Sequence, residues 1–158
     1  MKFEQYKSLK KQLLQKASTG EIAERKLQPA PLVLAYLGDA LFSCYVREKL
    51  VLFEPNKVRV INDVGAQLVS AVMQAQALDY LQTLLNEQEA DIVRRGRNTK
   101  SSVPKSASVQ EYRKSTGFEC LFGWLYWHDE KERLSFLMEQ AFTHLTDLLF
   151  KKENGDLA

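Results

Sequence analysis

Histidine is nearly missing from this 158-residue sequence, which holds only His128 and His144. His128 falls near the expected end of a helix, where a cation is favoured in any case. His144 falls mid-helix between apolar positions. Neither has a Ser or Cys partner at motif spacing, so nucleophilic triads and histidine metal sites are disfavoured. Cysteine is equally scarce. Cys44 and Cys120 each lie in an apolar helical pattern, and both read as buried free thiols of a reducing compartment. No CxxC or Cys/His spacing suggests zinc. A Gly-rich phosphate loop is absent, which argues against a nucleotide-dependent enzyme. No apolar run approaches the ~20 residues of a membrane span, so no membrane partner is expected. The N-terminus lacks the unbroken apolar stretch of a secretory signal. A cytoplasmic address is therefore expected, unless an organelle transit peptide has been removed.

Alternating β-branched runs joined by hairpin turns are also missing, so strands are not expected. What is present is helical periodicity. Leu34, Leu37, Leu41, Phe42 and Tyr45 recur at 3–4 spacing until Pro55-Asn56. A second stretch, 58–85, reads as one long helix with Val60, Val64, Leu68, Val69, Val72, Ala75 and Leu78 on one face. Asn86 with Glu89 has the spacing of a capping box and starts a helix from Glu87 to about Arg95. Gly96 to Ser108 reads as a loop, rich in Ser and Lys with one Pro. Ser108 with Glu111 repeats the capping-box spacing and opens a helix from Val109 to about Trp127, with Phe118, Leu121, Phe122 and Leu125 inward. The last helix is expected over 131–150. The fold class is all-α, with about six or seven helices. Residues 1–28 form a helical extension with a packing role, 29–150 the body, and 151–158 a flexible tail.

Two carboxylates stand out against this apolar pattern. Asp39 follows Gly38 inside "LAYLGDALFSCYV", and Glu119 lies in "STGFECLFGWLY" with Gly117 and Gly123 around it. Glycine costs a helix interior about 1 kcal/mol relative to alanine, and a carboxylate on an apolar helix must find water, a partner or a metal. Small residues let helices approach closely. If the two helices cross at their glycines, Asp39 and Glu119 converge, and such a pair suits a hard divalent cation like Mg²⁺. The alternative is that each acid faces solvent. Charge is also uneven. From Arg94 to Lys114 the net charge is +6, while the rest of the chain carries −4. That pattern suggests either a polyanion contact or a solvated basic loop.

"YLGDALFSCYVREKL" (36–50) and "RRGRNTKSSVPKSASVQEYRKSTGFECLFGWLY" (94–126), in this order, resemble the ribonuclease III catalytic domain. More narrowly they resemble its mini-ribonuclease III branch, which lacks a separate double-stranded-RNA-binding domain. The resemblance spans about Pro31 to Phe150. Asp39 matches the aspartate closing the signature helix, and Glu119 the metal-binding glutamate of the second acidic motif. Further family acids are replaced here by Leu32, Ala35 and Thr116, as is typical of the branch.

The resemblance implies a homodimeric endoribonuclease that cuts double-stranded RNA to leave 5′-phosphate and 3′-hydroxyl ends. It implies Mg²⁺, with Mn²⁺ able to substitute, held by Asp39 and Glu119 as metal ligands and catalytic residues. It further implies a substrate in the large-subunit (23S) ribosomal RNA precursor, a ribosomal-protein accessory factor, and a bacterial cytoplasm or chloroplast stroma. The dimer seam would run along the signature helix through Leu37, Leu41 and Phe42. The RNA grip would use Arg94, Arg95, Arg97, Asn98, Lys100, Lys105, Arg113 and Lys114, which read shape and charge rather than sequence. The rival reading is a non-catalytic RNA- or ribosome-binding protein of the same fold.

Overall fold

A computed structural model describes residues 1–20, 27–99 and 108–155. Seven α-helices and one 3₁₀ turn make up the described residues, with no strand among them. In chain order these are α1 (Phe3–Thr19), α2 (Pro31–Phe53), α3 (Val58–Leu68), α4 (Ala71–Leu81), the 3₁₀ turn (Gln82–Leu84), α5 (Glu87–Arg97), α6 (Val109–Trp127) and α7 (Lys131–Glu153). Both capping boxes are formed. Glu89 N–H donates to Asn86 at 2.9 Å and Asn86 N–H donates to Glu89 at 3.0 Å. Ser108 and Glu111 make the same reciprocal pair at 3.2 and 2.8 Å. Pro31 sits in the first turn of α2, where its missing N–H costs nothing.

Three expectations are corrected. The stretch 58–85 is not one helix. It breaks at Val69, and Ser70 restarts it by accepting from Met73 N–H at 3.4 Å. Serine prefers such a cap to a helix interior because its hydroxyl competes for backbone donors. Second, α1 contributes no side chain to the core among the described residues. It has no buried residue, and its Phe3, Tyr6, Leu9, Leu13 and Leu14 are all exposed. Third, only Cys120 is buried, where burial pushes its thiol up to about 12, whereas Cys44 is exposed on α2. In addition, α7 runs on to Glu153, three residues past its expected end.

Helix α6 is the centre of the fold and packs against α2, α5, α4 and α7. Its contact with α2 is backbone to backbone. A Cβ on Gly38 would lie 1.8 Å from the Glu119 carbonyl oxygen, and a Cβ on Gly123 would lie 1.9 Å from the Leu34 carbonyl oxygen. Gly117 serves a different neighbour. Its Cβ would meet Arg97 Cγ at 2.8 Å, and that of Gly96 would meet Cys120 Cβ at 2.8 Å, so this second glycine pair seats α5.

Beside the α2–α6 crossing, Phe42, Phe118 and Phe122 form an aromatic cluster with centroids 4.5–5.7 Å apart. Edge-on and tilted ring pairs at such distances add about 0.5–1.5 kcal/mol each beyond their burial. Phe42 is therefore spent inside its own chain and has no surface to offer a dimer seam. Leu37 and Leu41 are half-buried.

One charged pair ties α5 to α7. Arg133 donates to both oxygens of the buried Glu89 at 2.7 and 2.8 Å, and to the Leu84 carbonyl at 2.6 Å. Burial alone would raise the Glu89 pKa, but Arg133 and the Asn86 N–H hold it below the usual range.

The crossing predicts opposite outcomes for two Gly→Ala changes. Gly38→Ala forces α2 away from α6 and should cost at least about 3 kcal/mol in urea unfolding, the upper range of overpacking. Gly65→Ala, whose Cβ would sit an ordinary 3.4 Å from Leu50 Cδ1, should leave stability unchanged or raise it by up to about 1 kcal/mol.

Candidate cation and nucleic-acid site

Asp39 follows the residue that touches the Glu119 carbonyl, and its charge acts on the Glu119 carboxyl. Asp39 is exposed at the rim, while Glu119 is mostly covered. Burial, first, and the Asp39 charge, second, push the Glu119 carboxyl up to about 8, with the Gln74 amide pulling the other way. A carboxylate held this far from its ordinary range at the edge of a packed core is a mark of functional sites.

Gln74 is a neighbour of Glu119 that the motif reading overlooks. It lies on α4, 1% exposed, facing Glu119. Its amide lies close enough to that carboxylate to oppose the raised pKa, yet neither Nε2 nor Oε1 reaches hydrogen-bond geometry with any group. An unsatisfied buried polar group costs roughly 1–3 kcal/mol. The sequence carries a signal for it. Gln74 stands four residues before Leu78, on the inward face of α4, where an apolar residue belongs.

The positions that lack family acids are closed to metal chemistry. Ala35 is buried, and the Thr116 hydroxyl turns back to donate to the Tyr112 carbonyl at 2.9 Å. Leu32 is exposed. Among the described residues no cluster of three or more His, Cys, Asp or Glu side chains could hold a metal. The donor set is two carboxylates and one orphaned amide, all oxygen chemistry. That fits a hard divalent cation which keeps part of its water shell. The histidines belong elsewhere: His128 caps α6 and His144 stacks on Tyr80 with centroids 4.2 Å apart.

The basic segment is only partly gathered at this site. Arg94 and Arg95 close the last turn of α5, where cations suit the helix dipole. Both pair with Asp91 on the same helix. Arg95 also acts on Cys120, the neighbour of Glu119. Arg97 lays its stem across Gly117, and Asn98 caps α5. Lys114 is drawn to Asp79 on α4 at 2.7 Å. Arg113 is exposed and without an ion pair among the described residues. Lys100 and Lys105 lie outside the described residues.

The family model described as "Ribonuclease III domain" matches residues 32–130. That span contains Asp39, Gln74 and Glu119. The chain belongs to the ribonuclease III family. Within it, the chain falls in the mini-ribonuclease III branch. It is 45% identical over 117 residues to Mini-ribonuclease 3 of Thermoanaerobacter sp. (strain X514), covering 73% of this chain and 82% of that protein. Over 115 residues it is 50% identical to Mini-ribonuclease 3 of Symbiobacterium thermophilum, covering 70% and 86%. A relative of the same name from Synechococcus sp. is 42% identical over 124 residues, covering 74% and 88%.

The crystal structure of protein FN1578 from Fusobacterium nucleatum shares the fold, with a TM-score of 0.68 at 24% identity, over 74% of this chain and 96% of that one. This ribonuclease III domain is thus an endoribonuclease by family. Its N-terminal helix α1 lies outside the matched span.

The raised Glu119 pKa predicts an unusual pH dependence for the cation-free protein. An unfolded glutamate ionises near 4.5, while folded Glu119 keeps its proton up to about 8. Between these values the folded state binds the extra proton, so stability falls as pH rises. It levels off above pH ~8. The slope is at most about 1.4 kcal/mol per pH unit. Glu119→Gln should flatten it, as read by thermal melts in EDTA from pH 5 to 9.

Proposed function

We propose that this ribonuclease III domain is a divalent-cation-dependent endoribonuclease that cuts double-stranded RNA as a homodimer. The observation that supports the reading is the close Gly38–Gly123 crossing, which carries Asp39 and Glu119, with the charge of Asp39 acting on the Glu119 carboxyl. Asp39 and Glu119 would hold Mg²⁺, with Mn²⁺ able to replace it. The bound cation supplies an acidified water and neutralises charge on the scissile phosphate.

The remaining chemistry belongs to the chain. Glu119, protonated near neutral pH in the free protein, releases that proton when it ligates. Ligand binding of this kind becomes tighter as pH rises. Leu34, whose carbonyl abuts Gly123, and Phe118, next to Glu119 in the chain, are both buried in the core. Arg95 and Arg113, with Arg94, Arg97, Asn98, Lys100, Lys105 and Lys114, supply the phosphate and 2′-hydroxyl contacts of a shape-reading grip.

The homodimer rests on the outer face of α2. Tyr36 is 82% exposed and Val33 56%, with Leu32 and Ala40 beside them. A large aromatic and three aliphatic residues left bare on the helix that carries Asp39 form an apolar strip of the kind that marks an interface. With Phe42 buried, the strip takes the place of the seam expected through Leu37, Leu41 and Phe42. The 23S ribosomal RNA precursor, the ribosomal-protein accessory factor and the bacterial cytoplasm (or a chloroplast stroma) rest on the likeness to the mini-ribonuclease III branch.

One observation favours a non-catalytic RNA-binding protein instead, namely the loss of acids at Leu32, Ala35 and Thr116. Cleavage decides between the two. A perfectly paired RNA should be cut with Mg²⁺ present, and Asp39→Asn or Glu119→Gln should lower the rate at least about 10³-fold while RNA binding persists. Binding by the wild type with no cleavage would establish the non-catalytic reading. The dimer is checked by sedimentation at micromolar concentration. The wild type should run as two copies and Tyr36→Glu as one, and a monomeric wild type would remove the dimer from the proposal.

A further inference from the structure

Four polar side chains are buried among the described residues: Gln74, Glu89, Ser115 and Thr116. Three of them are satisfied. Glu89 has Arg133 and the Asn86 N–H, and Ser115 and Thr116 both donate to the Tyr112 carbonyl at 2.9 Å. Gln74 is the exception, with both ends of its amide unpartnered. A residue that only filled this space would be better as Met or Leu, since buried polar groups are otherwise paired. The amide acts on the Glu119 carboxyl, opposing its raised pKa, yet neither of its polar atoms reaches hydrogen-bond geometry.

We propose that Gln74 is a positioning residue of the cation site, its Nε2–H donating to Glu119 once a divalent cation fixes that carboxylate. The inference rests on the reading that Asp39 and Glu119 hold the cation. The amide's task follows from the donor count. Ala35 and Thr116 add no charge to the pair, so the orientation of the mostly covered Glu119 depends on a neutral neighbour. Outer partners of this type orient metal ligands, and losing one weakens metal affinity about 10–100-fold. Glu119 lies on α6 and Gln74 on α4, which pack directly. The carboxylate is therefore held between two helices rather than by its own.

Mn²⁺ binding by the full chain, measured by calorimetry and by the thermal shift it produces, tests this without reference to turnover. Gln74→Met should weaken Mn²⁺ binding about tenfold. Its Tm in EDTA should stay level or rise, because no formed hydrogen bond is lost. Gln74→Glu should act in the opposite sense, lowering the metal-free Tm by burying a further carboxyl beside Glu119 and tightening Mn²⁺ binding. Gln76→Met, at an exposed position on the same helix, should change neither. A Gln74→Met protein with a lower metal-free Tm and unaltered Mn²⁺ affinity would show a core filler and overturn the inference. If Gln74→Met does not fold, Gln74→Glu decides alone, and unchanged or weaker Mn²⁺ binding overturns the inference. Saturable Mn²⁺ binding lost in Asp39→Asn yet intact in Gln74→Met defeats the role of Gln74 only. A wild type without saturable binding defeats the cation reading itself.

Discussion

Two helices touch backbone to backbone at Gly38 and Gly123, and the separation of Asp39 from Glu119 follows from that contact. A single Cβ at either glycine would overlap a main-chain carbonyl oxygen. The crossing therefore cannot open by a rotamer change, only by moving a whole helix. Glycine in two long helices is a propensity cost of about 1 kcal/mol per position. The Phe42, Phe118 and Phe122 cluster and the dense contacts of α2 with α6 offset it. The second glycine pair, Gly96 and Gly117, seats α5 on the same central helix and brings its cationic C-terminal turn to the site's flank.

The site itself is held against its own electrostatics. A mostly covered carboxylate beside a second carboxylate is unfavourable in the free protein, and Glu119 responds by keeping a proton to about pH 8. The orphaned Gln74 adds to the same debt. Both disfavoured features resolve together if a divalent cation sits between the acids. Its charge offsets the repulsion and a fixed carboxylate gives the amide something to meet. Strain of this sort at one place in an otherwise consistent fold is the usual signature of function.

How much the sequence discloses depends on the range of the interaction. The starts of α5 and α6 are legible to the residue, because Asn86–Glu89 and Ser108–Glu111 are local bonds between positions three apart. The break between α3 and α4 is not. Val69, Val72 and Ala75 continue the apolar pattern across it, and Ser70 has Met73 rather than Glu or Gln at the position that would complete a capping box. The glycines announce close helix approach, but not which helices meet. Gly123 faces α2, while Gly117, six residues earlier, faces α5. Burial around Phe42 follows from how α2 lies on α6, so an apolar helix read alone cannot separate core from interface. Gln74 escapes any reading by motif, since its meaning lies in the distance from α4 to Glu119.

The central claim is that the crossing makes Asp39 and Glu119 one cation site. Anomalous diffraction from crystals grown with Mn²⁺ tests it most directly. One strong manganese peak per protomer is expected, with oxygen ligands from both Asp39 and Glu119 at about 2.1 Å, close to the distance of a small hard divalent ion. Manganese bound elsewhere with these two carboxylates unengaged, or carboxylates turned apart with no ion between them, would contradict it.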